Sequence, residues 1–148
     1  MGPSLTGWRR CTMCSAMFYD GFDQKGSCPS EGHQHEPEGP VFDLPHDGPE
    51  TGHAQRNWRF CRKCFAMHWS PAPDQLCARL GPHDALGSWN FVLPHTLPPG
   101  PAAGYSWRCC VRCAVLFWEP AQRQSCTAGG QHEAAGPVFT LPCSATQP

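Results

Sequence analysis

The stretch Trp8-Arg9-Arg10-Cys11-Thr12-Met13-Cys14 recurs as Trp58-Arg59-Phe60-Cys61-Arg62-Lys63-Cys64 and again as Trp107-Arg108-Cys109-Cys110-Val111-Arg112-Cys113. The spacing is 50 and then 49 residues, a period that marks a tandem-repeat architecture. Working outward from this knuckle, each copy carries the same features in the same order. An apolar stretch comes first: Met17-Phe18-Tyr19, Met67-His68-Trp69 and Leu116-Phe117-Trp118. A third cysteine follows at 28, 77 and 126, then a histidine with an acid behind it: His35-Glu36, His83-Asp84 and His132-Glu133. Each copy closes on Phe-x-Leu-Pro, at Phe42 to Pro45, Phe91 to Pro94 and Phe139 to Pro142.

The copies therefore run from about 8 to 45, 58 to 94 and 107 to 142. Segments 46–57 and 95–106, rich in Pro, Gly and polar residues, read as linkers or surface loops. Period-two alternation at Trp58/Phe60, Phe42/Leu44, Phe91/Leu93 and Phe139/Leu141 predicts short strands with one buried face, and no window carries helical periodicity. The Pro after each Leu stops its strand, because it cannot donate to a ladder. The expected fold is all-β and loop-rich, built of three zinc-ribbon-like repeats. Two arrangements remain open: closure around a pseudo-threefold axis, as in a β-trefoil, or beads on two linkers.

Cys-x-x-Cys lets one tight turn present two thiolates to one ion. The third Cys and the His complete the four-ligand tetrahedral shell of a structural zinc. The expected sites are Cys11, Cys14, Cys28, His35; Cys61, Cys64, Cys77, His83; and Cys110, Cys113, Cys126, His132, three Zn²⁺ per chain. Copies one and two hold three Cys each, so neither pairs internally as disulfides without a remainder. His33 competes with His35. Spacing from Cys28 favours His33, but the run His-Glu-x-x-Gly-Pro-Val-Phe aligns His35 with His132 and decides for His35. Cys109 and Cys143 fall outside the pattern and read as small apolar packing residues. His46, His95 and Cys143 share the place after Leu-Pro, and would cluster only if the copies close on an axis.

The rest of the composition bounds the function. Pro and Gly make up over a fifth of 148 residues, with eleven Cys and a formal charge of −1. Such a chain is loop-rich and stapled, and not a polycation. No apolar run reaches the ~18 residues of a membrane helix, and the N-terminal residues lack a charged and apolar leader, so a cytoplasmic location is expected. There thiols stay reduced and hold metals. With all four positions taken by protein, each zinc has no open site for catalysis, and no phosphate loop or nucleophile elbow is present, so no enzyme activity is expected.

The string Trp-Arg-x-Cys-x-x-Cys, Leu/Met-Phe-Trp, Cys, Gly-Gly-x-His and Phe-x-Leu resembles an uncharacterised bacterial tandem zinc-binding repeat, best in Trp107 to Leu141. That likeness implies metal binding and a repeat fold, and no activity. The knuckle is also similar to the Trp-x-Cys-x-x-Cys of RNA-binding zinc fingers of the RanBP2 type. Those close with a second Cys-x-x-Cys, where this chain has Cys-x5-His or Cys-x6-His.

Three functions fit these residues. The first is a non-enzymatic binding or adaptor module for a protein partner. The second is a lectin-like module that stacks glycans on Tyr19, Trp69 and Trp118, although these rings equally suit a core. The third binds single-stranded nucleic acid through Arg9, Arg10, Arg59, Arg62, Lys63, Arg108 and Arg112, although these cations equally balance zinc–thiolate charge.

Overall fold

In each copy the Trp-Arg-x-Cys stretch is the middle strand of a three-stranded antiparallel sheet. The computed structural model describes residues 4–23, 26, 28, 34–48, 50–51, 54–71, 77, 81–95, 103–119, 126 and 130–142. Copy one contributes β1 (Ser4–Cys11), β2 (Met17–Tyr19) and β3 (Pro37–Pro45). Copy two contributes β4 (Ala54–Phe60), β5 (Met67–Trp69) and β6 (Phe91–Pro94), and copy three β7 (Ala103–Cys110), β8 (Leu116–Trp118) and β9 (Ala134–Pro142). The sheet orders are β2-β1-β3, β5-β4-β6 and β8-β7-β9. Among the described residues there is no helix.

Alternation places each knuckle Trp inward and the next Arg toward solvent. Trp8, Trp58 and Trp107 are buried, as are Phe42, Leu44, Phe91, Leu93, Phe139 and Leu141 from the closing motifs. The register slips between Leu5 and Trp8, between Gln55 and Trp58, and between Gly104 and Trp107. Gly7 and Asn57, inside two of these bulges, adopt φ of 103° and 75°. The middle strands begin several residues before the Trp, so β4 and β7 start inside 46–57 and 95–106. Ala54 and Gln55 pair with Pro94 and Leu93, a half-exposed ladder end that leaves no hydrophobic alternation to read.

The copies close on one another rather than hanging as beads. Each Trp sets its edge or face against the closing Phe of another copy: Trp8 on Phe91 at 5.4 Å, Trp58 on Phe139 at 5.2 Å and Trp107 on Phe42 at 5.4 Å. These contacts run in a ring, one to two, two to three, three to one. A buried aromatic removes ~150–250 Å² from water, so each seam gains several kcal/mol that an isolated copy lacks. A second ring is made by backbone. Tyr19 N donates to Phe65 O, Trp69 N to Ala114 O and Trp118 N to Ser15 O, each at 3.0 Å. The accepting residues directly follow the second Cys of each knuckle and hold φ of 63° (Ser15), 67° (Phe65) and 72° (Ala114). That conformation costs a non-Gly residue ~1–2 kcal/mol. It is the same conformation that points the carbonyl at the neighbouring copy, so closure and knuckle shape depend on each other. The result is a pseudo-threefold, trefoil-like molecule.

Candidate metal centres

The Cys-x-x-Cys turn is built by backbone. Ser15 N, Phe65 N and Ala114 N return to the carbonyls of Cys11, Cys61 and Cys110 at 2.9, 2.7 and 2.7 Å. The residue after each His clamps the turn from the other side. Thr12 N donates to Glu36 O, Arg62 N to Asp84 O and Val111 N to Glu133 O, at 2.7–2.9 Å. The amides of Asp84 and Glu133 also donate to the sulfurs of Cys61 and Cys110 at 3.4 Å.

These clamps bring four donors together three times. Cys11, Cys14, Cys28 and His35 form one cluster, Cys61, Cys64, Cys77 and His83 the second, and Cys110, Cys113, Cys126 and His132 the third. In each, the ligand atoms lie within 4.8 Å of one another. The geometry discriminates between chemistries. Sγ–Sγ separations are 3.8 Å for Cys11–Cys28, Cys61–Cys77 and Cys110–Cys126. Sγ–Nδ1 separations are 3.6, 3.6 and 3.5 Å for Cys14–His35, Cys64–His83 and Cys113–His132. A disulfide needs ~2.05 Å. A tetrahedral ion with bonds of ~2.3 Å to sulfur and ~2.0–2.1 Å to nitrogen has edges of about 3.8 and 3.6 Å. The clusters fit a metal, and all described cysteines are free.

The electrostatics point the same way. Hydrogen bonds from Cys14 and Cys28 hold the Cys11 thiol far below its ordinary range. Burial, and then the neighbouring sulfurs, push Cys14 far above it. Cys61 against Cys64, and Cys110 against Cys113, divide in the same sense. Burial opposes charge on His83 and His132, yet hydrogen bonds to the thiol sulfurs raise both to about 9. Packed sulfurs compete for protons at each centre, and a central cation removes that competition by stabilising every thiolate.

The imidazoles join the three centres. Nδ1 faces the cluster, while Nε2 donates to the carbonyl of the second cysteine of another copy. His35 reaches Cys64 O at 2.9 Å, His83 reaches Cys113 O at 2.8 Å and His132 reaches Cys14 O at 2.9 Å. Each ring is also stacked: His35 on Phe18, His83 on His68 and His132 on Phe117, with centroids 4.5–4.7 Å apart. Such outer partners fix tautomer and ring orientation at metal sites. Spacing alone missed this support. Its signal is the middle residue of Met-Phe-Tyr, Met-His-Trp and Leu-Phe-Trp, which is a ring in every copy.

The remaining candidates lie elsewhere. His33 and Cys143 are outside the described residues. Cys109 is half-buried, donates toward Cys110 O and Ala114 O, and takes no part in a cluster. His46 and His95 bridge to Phe91 and Phe139 of the neighbouring copies, and among the described residues neither belongs to a metal-capable group.

The knuckle cations are engaged internally. Arg9, Arg62 and Arg108 pair with Asp20, Asp84 and Glu119. Arg59, Lys63 and Arg112 donate to the carbonyls of Ser88, Pro82 and Gln131. The Arg10 guanidinium lies 4.1 Å over the Trp118 ring. Tyr19, Trp69 and Trp118 are half-buried against the Trp–Phe core.

Comparison with known family models, curated proteins and solved structures finds no match to this chain. The metal centres and their threefold setting therefore carry the functional reading.

Proposed function

We propose that this chain is a non-enzymatic, zinc-held scaffold that recognises a protein partner. The observation that carries it is closure of the centres. Four protein donors surround each one, and the second nitrogen of every ligand His is committed to a carbonyl. A catalytic zinc needs a position for water or substrate, which such a shell lacks. Three thiolates and one imidazole favour zinc over the harder divalent ions. Bound zinc holds the knuckles and leaves the outer surface for recognition, in a compartment that keeps thiols reduced, such as the cytosol.

A protein partner is favoured over glycan or nucleic acid by how the alternative side chains are used. Tyr19 packs against Trp8, Phe22 and Phe60, and Trp118 already carries Arg10. The knuckle cations are spent on carboxylates, carbonyls and that ring. The test combines metal analysis with binding assays on the holoprotein. Three zinc per chain, unfolding on chelation, and enrichment of protein with no salt-sensitive RNA binding and no glycan-array signal are expected. Substoichiometric zinc with paired disulfides, or RNA binding lost with the knuckle arginines, refutes the reading.

A further inference from the structure

The three seams between copies are built alike, and several departures from likeness converge on one of them. Phe60 stands where copies one and three have Arg10 and Cys109, and Phe65 where they have Ser15 and Ala114. Phe22 stands where the other copies have Ala72 and Ala121. Copy two also holds one extra residue between Gly87 and Phe91, so that Ser88-Trp89-Asn90 replaces the Pro-Val of Gly39 to Phe42 and Gly136 to Phe139. Its closing strand β6 has 4 residues where β3 and β9 have 9. Phe22, Phe60, Ser88 and Trp89 line an open cavity of about 300 Å³ at the seam of copies one and two, and Phe65 packs against Phe22 and Phe60.

Six rings line this cavity: Trp8, Tyr19, Phe22, Phe60, Trp89 and Phe91. They form walls rather than a stack. Tyr19 stands at 75° to Phe22 and 87° to Phe60, and Trp8 at 75° to Phe60 and 81° to Phe91. The two outer walls are half-exposed, Phe22 at 51% and Trp89 at 49%. The inserted segment is set in place beforehand. Ser88 Oγ accepts from Phe60 N at 2.8 Å and donates to Trp89 O at 2.7 Å. Asn90 Oδ1 accepts from Asn57 N at 2.7 Å. His46 stacks on Trp89 at 4.0 Å and bonds Asp47 through Nδ1 at 2.7 Å.

Charge and hydrogen-bonding capacity select the occupant. Among the described residues, no Lys or Arg lines the cavity. Acidic residues neighbour both outer walls: exposed Asp23 follows Phe22 in the chain, and Asp47 bonds the His46 ring that stacks on Trp89. The faces of aromatic rings attract cations, Trp most strongly. The lining is mostly apolar and its Ser88 hydroxyl is already bonded, so it offers few acceptors to the N–H groups of an ammonium or guanidinium that gives up water to enter. A cation without N–H groups escapes that cost. The sister seam supplies a precedent for the attraction, since the protein's own Arg10 seats its guanidinium on Trp118, the counterpart of Tyr19.

We infer that the seam of copies one and two is an aromatic cage for a quaternary ammonium, presented as a trimethylated lysine side chain by the partner protein. This rests on the partner-binding reading and names the chemistry recognised. The experiment titrates zinc-loaded, full-length protein, followed by Trp fluorescence and calorimetry. The probes are one peptide with trimethyl-lysine, with unmodified lysine, or with the carbon isostere that carries tert-butyl in place of trimethylammonium. The trimethyl form should bind about tenfold tighter than either of the others. Trp89→Ala and Phe22→Ala remove half-exposed rings, so both variants should keep three metals and a cooperative unfolding transition while losing about tenfold in affinity. Equal binding of the carbon isostere overturns the cation cage. Binding of phosphatidylcholine vesicles without the peptide overturns the peptide source. Holoprotein with three zinc that ignores every probe refutes the site and leaves the zinc scaffold standing, whereas loss of metal in the wild type fails the scaffold itself.

Discussion

Replacing His83 with Cys separates ligation from the cross-copy bond. A thiolate there keeps four donors at the second centre, but lacks the Nε2–H that reaches Cys113 O at 2.8 Å. Cys113 is buried, so its carbonyl loses its partner without gaining water. Such a bond contributes ~0.5–1.5 kcal/mol net, and an orphaned buried acceptor costs ~1–3 kcal/mol. With tenfold per ~1.4 kcal/mol, the third centre should bind zinc about 5- to 150-fold more weakly in His83→Cys. The effect has a direction. The first centre receives its bond from His132 to Cys14 O and gives one to Cys64 O, and both survive the substitution. The assay is competition with a chromophoric chelator, and the weakened centre is identified by alkylation and peptide mass mapping. Three zinc per chain with the loss confined to Cys110, Cys113, Cys126 and His132 is expected. Unchanged affinities, or a loss at the first centre, would refute the coupling.

His68→Phe should stabilise the zinc-loaded protein by ~1–3 kcal/mol in urea unfolding, because the buried His68 Nδ1 has no hydrogen-bond partner. Phe18 and Phe117 show that a Phe at this place stacks on a ligand imidazole, so a destabilised variant would contradict that equivalence. Burial, the larger cause, holds His68 well below its ordinary 6.5, and in the zinc-loaded protein it acts without a charge on the ligand His83. Its folded value is the lower one, so the stability it contributes is complete above about 6.5 and is lost as pH falls toward 3. The Phe variant should lack that part of the acid sensitivity. Burial, and then the neighbouring Cys110, push the Cys109 thiol up to about 12. It should resist iodoacetamide at about pH 8 in native protein and react after denaturation, since the thiolate is the nucleophile; prompt native labelling would show the site open.

How much could be read in advance follows from where each signal resides. Ligand sets are local in sequence. Cys-x-x-Cys, one further Cys and a His fall within each copy, and tetrahedral coordination demands four donors, so counting residues by copy predicts the clusters that the structure assembles. His35 takes its place in the first cluster, and the residue behind it clamps the knuckle, a backbone duty that repeats with the motif. The strands at Phe-x-Leu-Pro were legible because burial on one face leaves period-two alternation. The early start of β4 was not, since its half-exposed ladder end takes almost any residue.

The sequence by itself determined three like units, each with its own donor set and a β framework, because ligand count and strand periodicity act over a few dozen residues. Only the tertiary structure decided that the units close into one threefold body. Closure depends on edge-to-face Trp–Phe pairs and left-handed carbonyls aimed at other copies, and those partners stand tens of residues apart with no periodic trace. The structure also decided that Phe22, Phe60, Phe65 and Trp89, scattered over two copies, meet at a single seam. In the chain they read as isolated departures from a repeat. In space they form one wall, because a threefold arrangement brings the end of one copy against the knuckle of the next.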